Sequence, residues 1–187
     1  MSPAFDPRPW GTLDLSAIYP NAKFNERIGE AWLTGDDCVV TNGPLAKRSL
    51  ADLSKEFGAE LVGTAARDPE RFPLLLKFLF PEQHLSVQVH PDDKTAQGFG
   101  EPWGKTECWY VAHAKPGAKI ALGLKPGVTT AQFEQSVQQN RKLRFRVADV
   151  SLPSGDLLPQ PPDRLLGRLR PKRLARLRAG GQNSTRA

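Results

Sequence analysis

Short apolar runs alternate with turn-forming Gly, Pro, Asn and Asp along most of the chain. Their length and their content of branched and aromatic residues predict β-strands. The predicted strands are residues 28–33, 39–41, 73–80, 85–90, 107–112, 119–124 and 145–150. Many short strands with few helices predict a mainly β fold, either a sandwich or a jelly roll.

Two or three short helices are expected beside the strands. Ser49 and Asp52 form a capping box, apolar residues follow at helical spacing, and Gly58 is a natural end for this helix. Thr129 and Gln132 form a second capping box and predict another helix.

Two apolar stretches in the middle of the chain differ in pattern. Pro73–Phe80 is continuous apart from one lysine, which predicts a strand buried on both faces. Leu85–His90 alternates strictly between apolar and polar residues, so we expect Gln88 and His90 to project from the same face of a strand.

The chain has 187 residues and a formal net charge of +6, and the excess of basic residues lies at its C-terminal end. Residues 164–187 contain eight basic residues and no acidic ones, whereas residues 1–163 have a net charge of −2. We therefore expect no nucleic-acid partner for the body of the protein. Salt-sensitive binding of nucleic acid by the tail is a further alternative.

The composition changes after Asp156. Residues 157–178 consist mostly of Leu, Pro, Arg, Gly and Ala without a periodicity that would bury one face. This pattern predicts one domain over residues 1–156 and a basic, disordered tail over residues 157–187. The tail also has the composition that an alternative reading frame of a GC-rich gene encodes, which indicates a frameshift near residue 156.

The sequence contains no apolar run near the roughly 20 residues that span a bilayer, and its first ten residues lack the apolar core of a secretory signal. A cytoplasmic protein without a membrane partner is therefore expected. Cys38 and Cys108 are isolated, so they predict neither a disulfide framework nor a cysteine-based zinc site.

Gln88, His90 and Glu107 are candidate metal ligands. Glu107 begins a predicted strand in which Trp109 and Val111 share its face, and a carboxylate in apolar surroundings is costly unless it is paired or bound to a metal. A cation between these three side chains would remove that cost. The alternative from spacing alone is a polar surface pair and a solvated glutamate.

Three stretches resemble the signature sequences of type I phosphomannose isomerases. They are Pro73–Phe78, Leu85–Asp93 (LSVQVHPDD) and Gly104–Tyr110 (GKTECWY). Residues 28–32 and 40–45 resemble the amino-terminal region of the family, and the similarity runs in order from Trp10 to Asp156.

The resemblance implies a cupin-type jelly roll with one zinc ion per chain, held by Gln88, His90 and Glu107. It assigns Lys105 to substrate binding or to proton transfer, and Trp10 to an active-site aromatic position. Lys105 suits proton transfer if a nearby cation disfavours its ammonium form. The alternative is a lysine that holds the substrate phosphate or a structural carboxylate.

The implied activity is the interconversion of mannose 6-phosphate and fructose 6-phosphate, a sugar-phosphate isomerisation through a cis-enediol. The family's fourth ligand, a histidine in a Pro-Ala-Gly-Thr-x-His segment, is absent, since no histidine follows His113. Three protein ligands and a water molecule can still hold zinc. The later strands of the family, which help close the barrel, are also missing, so the jelly roll is expected to be incomplete. The alternative function is a catalytically impaired remnant or a non-catalytic sugar-binding cupin module. The sequence does not indicate the oligomeric state.

Overall fold

The structure is a computed structural model that describes residues 1–85, 88, 90–139, 147–151 and 157–160. The chain divides into two compact units, Met1–Leu85 and Ser86–Ala187. The described residues are mainly β, as the sequence predicts, and they form seven strands and four helices. None of these helices is long and apolar enough to cross a lipid bilayer.

The first unit is built on a three-stranded antiparallel sheet. Its strands are β1 (Ala4–Thr12), β2 (Ile28–Trp32) and β3 (Lys77–Leu79), in the spatial order β1-β2-β3. The sequence patterns predict β2 and β3 but not β1. Strand β1 contains two prolines, which cannot donate to a ladder, and its place at the edge of the sheet tolerates them.

Strand β1 is irregular where it passes the start of β2. Pro7 and Thr12 are both opposite Ile28, so the residues between them leave the regular ladder. Gly11 lies so close to β2 that a Cβ atom there would be 2.4 Å from the carbonyl carbon and oxygen of Ile28. Only glycine fits at this position without a shift of the backbone.

The core of the first unit combines aliphatic residues with a group of aromatic rings. The buried apolar residues are Leu15, Ile28, Ala31, Cys38, Leu50 and Leu53. Phe5 contacts Tyr19 and Phe24 edge to face at centroid distances of 5.1 and 4.7 Å, and Tyr19 lies 6.4 and 6.3 Å from Phe78 and Phe80. These rings join β1 and β3 to the connection that precedes β2.

Both helix starts predicted from the capping motifs are confirmed. Helix α1 (Leu50–Phe57) begins after Ser49, whose hydroxyl accepts the N–H of Asp52, and it ends at Gly58. A short helix, α2 (Ala59–Val62), follows. In the second unit, Thr129 and Gln132 exchange hydrogen bonds between side chain and main chain at 3.1 and 3.3 Å, at the start of helix α4 (Thr130–Gln138).

Glu30 is a buried carboxylate in β2. Its Oε2 atom accepts hydrogen bonds from Trp32 Nε1 at 2.7 Å and from Lys77 Nζ at 3.0 Å, and Arg8 Nε lies 3.9 Å from Oε1. Lys77 is also 5.8 Å from the centroid of the Trp32 ring. The charge of Glu30 is thus compensated, and its pairing with Lys77 ties β2 to β3.

The prediction of a strand buried on both faces over Pro73–Phe80 is wrong, because only Lys77–Leu79 form a strand and these three residues are half-buried. Leu74, Leu75 and Leu76 are 67, 48 and 59% exposed, and the strand begins only at Lys77. The Thr34 hydroxyl donates to the carbonyl of Leu74 and accepts the N–H of Leu76, both at 2.7 Å. The N–H of Leu33 also donates to the carbonyl of Leu76 at 2.8 Å, so the backbone of this segment is held while the leucine side chains stay exposed. The predicted strand at residues 39–41 is reduced to isolated bridges that Val39 makes with Ser2 and Ser49.

The second unit contains helix α3 (Asp93–Gln97), α4 and two antiparallel strand pairs. Strand β4 (Glu107–Tyr110) pairs with β7 (Leu157–Gln160), and β5 (Lys119–Leu124) pairs with β6 (Val147–Ser151). The predicted strands in this part are confirmed for β4, β5 and the described portion of β6. Ile120 and Phe133 are buried here.

The division into a domain over residues 1–156 and a tail over residues 157–187 stays a prediction. The proposed boundary and residues 161–187 lie outside the described residues. Leu157–Gln160, however, form β7 and pair with β4, which differs from the disorder expected for these four residues. The main-chain hydrogen bonds to β4 order this segment, although its composition predicts no structure.

We expect Gly11→Ala to lower the free energy of unfolding by about 2–3 kcal/mol, because the new Cβ would press on the backbone of β2. Gly43→Ala is the control: Gly43 has a φ of 76°, but a Cβ atom added there would meet no other atom within 4 Å. Its cost should be about 1 kcal/mol, from backbone strain alone. Urea unfolding followed by circular dichroism measures both variants, and equal losses would contradict the steric account.

Candidate metal centre

Strand β4 determines which side chains share a face with Glu107. Residues Glu107 and Trp109 are half-buried on one side of the strand, whereas Cys108 and Tyr110 are exposed on the other. This alternation agrees with the sequence analysis, which placed Glu107 and Trp109 on one face. The two side chains are therefore neighbours along the strand.

A close approach of two backbone segments brings His90 to Glu107. The N–H of Lys105 donates to the carbonyl of Pro91 at 3.2 Å, and the N–H of Gly104 donates to Asp93 Oδ1 at 2.9 Å. A Cβ atom on Gly104 would lie 2.3 Å from the Pro91 carbonyl oxygen, so the approach requires glycine. His90 directly precedes one segment and Glu107 closely follows the other, and the contact between the segments sets their distance.

Asp92 and Asp93 stabilise the turn that follows His90. Asp92 caps α3, where its Oδ1 atom accepts the N–H of Thr95 at 2.9 Å, and Asp93 accepts the N–H of Gly104. The short helix and the glycine are thus both anchored by aspartates of the LSVQVHPDD stretch.

The two oxygens of the Glu107 carboxylate have different partners. Oε2 lies 2.7 Å from His90 Nε2 and 2.8 Å from Lys105 Nζ. Oε1 accepts a hydrogen bond from Trp109 Nε1. The side chains of His90 and Glu107 are only 17 and 15% exposed, whereas that of Lys105 is 49% exposed.

These contacts favour the ionised form of Glu107. The hydrogen bond from His90 holds the pKa of the Glu107 carboxyl well below its usual range, and the contacts with Lys105 and Trp109 act in the same direction. Partial burial acts in the opposite direction but is outweighed. A carboxylate that stays charged is a suitable ligand for a cation.

The structure thus brings together three of the predicted site residues, His90, Lys105 and Glu107. Gln88 lies two residues before His90 and is exposed. Its role as a metal ligand stays a prediction. No strand includes the described residues of the expected strand at 85–90, which are Leu85, Gln88 and His90.

Trp10 lies in the first unit, near the end of β1. Its carbonyl accepts the N–H groups of Glu82 and Gln83 at 2.9 and 3.3 Å. The expected role of its ring in substrate binding stays a prediction.

The donor atoms of His90 and Glu107 suit a divalent metal such as zinc. An imidazole nitrogen and a carboxylate oxygen are common zinc ligands, and neighbouring ligands of a tetrahedral zinc ion lie about 3.3 Å apart. The observed separation of 2.7 Å between Nε2 and Oε2 is within a small side-chain movement of that value. The positive charge beside Oε2 is the Lys105 ammonium, so the site already accommodates a cation.

Among the described residues, histidine, cysteine and acidic side chains do not complete a metal site by themselves. Within the part of the chain that the structure describes, no three such groups lie close enough to hold one ion. An amide ligand from Gln88 or a water molecule would be a suitable addition to His90 and Glu107.

The fold and this cluster define a mainly β protein with a candidate metal centre at the start of β4. Comparisons with known proteins identify its family. Residues 12–103 match the family described as phosphomannose isomerase type I, catalytic domain. The chain is 34% identical over 169 residues to GmuF of Bacillus subtilis (strain 168), named a probable mannose-6-phosphate isomerase. It is 39% identical over 127 residues to the mannose-6-phosphate isomerase ManA of the same organism.

A solved structure supports the same assignment. The crystal structure of the mannose 6-phosphate isomerase from Bacillus subtilis superposes with a TM-score of 0.74 at 28% identity, over 86% of this chain and 51% of that one. The chain belongs to the type I phosphomannose isomerase family, and the expected cupin-type β fold is confirmed.

The matches also show how much of the relatives this chain represents. The alignments cover 84% of this chain and 52% of GmuF, and 65% of this chain and 39% of ManA. The chain thus spans about half the length of GmuF.

We expect Gly104→Ala to weaken zinc binding at least about ten-fold, because the added Cβ would push Pro91 away and separate His90 from Glu107. Competition with a chromophoric chelator measures the affinity. Gly98→Ala is the matched control in the same connection, since Gly98 has helical angles and its Cβ would lie 3.3 Å from the nearest atom. Equal zinc affinities in the two variants would show that the approach at Gly104 does not set the site.

Proposed function

We propose that this chain is a metal-dependent aldose–ketose isomerase that interconverts mannose 6-phosphate and fructose 6-phosphate. The observation that carries the proposal is the convergence of His90, Lys105 and Glu107 in a chain of the type I phosphomannose isomerase family. Because the proposed substrate is a phosphorylated sugar, we also propose that the protein is cytoplasmic.

The reaction requires a proton to move between C2 and C1 of the open-chain sugar and requires the negative charge of a cis-enediol to be stabilised. A zinc ion held by Gln88, His90 and Glu107 would supply Lewis-acid stabilisation of that charge. Glu107 and His90 would serve as ligands through Oε2 and Nε2, the atoms that already face each other. Both side chains are mostly shielded from solvent, which strengthens their attraction for a cation.

Lys105 is the residue we propose to contact the substrate. Its ammonium lies at the carboxylate of Glu107, and its side chain is half-exposed, so it can reach both the metal ligands and a ligand arriving from solvent. It could act there as the proton carrier of the isomerisation or as the cation that holds the substrate phosphate. Trp10 is proposed to contribute an aromatic contact to the sugar.

We expect the purified chain, supplied with zinc, to convert mannose 6-phosphate to fructose 6-phosphate, and Glu107→Ala to abolish both turnover and zinc binding. Turnover is measured by coupling the formation of fructose 6-phosphate to a dehydrogenase reaction. Zinc affinity is measured by competition with a chromophoric chelator. Glu56→Ala is the matched control, because Glu56 also pairs with a basic side chain, Arg48, but on the exposed surface of α1. A folded wild-type chain without turnover would favour the alternative of a non-catalytic remnant or sugar-binding module.

We expect Lys105→Met to lower kcat/KM at least about a hundred-fold while zinc stays bound, because the variant removes the proposed acid/base group or phosphate contact but no metal ligand. Steady-state kinetics together with the zinc content of the same sample provide the measurement.

Lys105→Arg separates the two roles of Lys105. A guanidinium restores a cation for the phosphate but is a poor proton carrier. Recovery of KM with a low kcat would identify proton transfer, and recovery of both would identify phosphate binding. If Lys105→Met has the same kinetic constants as the wild-type chain, Lys105 has neither of the two proposed roles.

A further inference from the structure

The indole of Trp109 forms a hydrogen bond with Glu107, and the proposed function assigns no role to this contact. Trp109 Nε1 donates to Oε1, whereas His90 and Lys105 both contact Oε2. Trp109 is half-buried, and its place two residues after Glu107 on β4 puts its side chain on the same face of the strand. These three partners of the carboxylate are thus divided between its two oxygens.

This division matters for metal binding because a free glutamate carboxylate is adaptable. The terminal torsion of glutamate is broad, and either or both of its oxygens can bind a metal ion. A donor fixed on Oε1 restricts that rotation and occupies one oxygen. Oε2 then remains as the ligand atom, on the side where His90 Nε2 lies 2.7 Å away.

We propose that Trp109 is a positioning residue for the metal centre: its indole N–H holds Oε1 of Glu107 so that the carboxylate binds the metal through Oε2 alone. This inference rests on the proposed metal site of Gln88, His90 and Glu107. Hydrogen-bond partners that orient metal ligands typically raise metal affinity about 10- to 100-fold.

The first unit contains a comparable arrangement built with basic side chains in place of a histidine. Glu30 and Trp32 also stand two residues apart on a strand, and the indole of Trp32 donates to the Glu30 carboxylate. There, however, the indole and the Lys77 ammonium share Oε2, and Arg8 lies near Oε1. Trp32 therefore serves a carboxylate whose charge is neutralised by basic side chains, and it provides a matched control for Trp109.

The experiment compares Trp109→Phe and Trp32→Phe in the full chain. Zinc affinity is measured by chelator competition, and the visible absorption spectrum of the cobalt(II)-substituted protein reports the coordination of the metal. We expect Trp109→Phe to bind zinc about ten-fold or more weakly and to change the cobalt spectrum. Trp32→Phe should leave the affinity within about two-fold and the spectrum unchanged, because its indole donates to Glu30, whose carboxylate pairs with Lys77.

Unchanged zinc affinity and an unchanged cobalt spectrum in Trp109→Phe would overturn the inference while leaving the proposed function intact. A wild-type chain that binds neither metal would overturn the proposed metal site and this inference with it. If Trp109→Phe does not fold, a zinc titration of the wild-type chain takes its place, and the indole N–H signals are followed in nitrogen-15 NMR spectra. Zinc should then shift the Trp109 signal more than the Trp32 signal, and a Trp109 signal that does not respond would contradict the proposal.

Discussion

A carboxylate that is partly withdrawn from water must find positive charge and hydrogen-bond donors, and both units of this protein contain such a group. In each unit a glutamate on a strand accepts the indole N–H of a tryptophan two residues later and the ammonium of a lysine. An unpaired charge in these surroundings would cost several kcal/mol. The strands β2 and β4 are therefore each organised around one compensated glutamate.

The two glutamates differ in what surrounds them, and this difference separates a structural ion pair from a candidate site. Lys77, the partner of Glu30, is 22% exposed and belongs to the neighbouring strand, so the pair is part of the sheet. Lys105, the partner of Glu107, is 49% exposed and precedes the strand, and His90 contacts the same carboxylate oxygen. Of these two arrangements, the second offers a shielded imidazole and carboxylate beside an amine that is half-exposed to solvent.

The sequence predicted the features of this fold that depend on local interactions. Helix α1 follows from Ser49 and the spacing of its leucines, and α4 follows from a capping box whose hydrogen bonds both form. Features that depend on tertiary contacts were missed. Strand β1 is not predicted because its prolines are tolerated only at the edge of a sheet. The hydroxyl of Thr34 binds the backbone at Leu74 and Leu76, a contact that no local pattern reveals.

The same distinction holds for the site. Resemblance to a family could name His90, Lys105 and Glu107, but it could not predict their distances, which depend on the contact between Gly104 and Pro91. The alternation of β4 placed Trp109 on the face of Glu107, yet it did not reveal the hydrogen bond. The direction of an indole N–H depends on side-chain rotamers, which a strand pattern does not specify.

Under the proposed function, the metal and Lys105 compete for the same carboxylate oxygen. The ammonium is 2.8 Å from Oε2, and a divalent cation bound there would repel it. Because Lys105 is half-exposed, it can move toward solvent at little cost, whereas the more buried Lys77 could not leave Glu30 so easily. Metal binding would thus release the amine from a structural pairing and make it available to a phosphorylated substrate. Under that proposal, the exposure of Lys105 would allow one residue to stabilise the site before a metal binds and to serve the reaction afterwards.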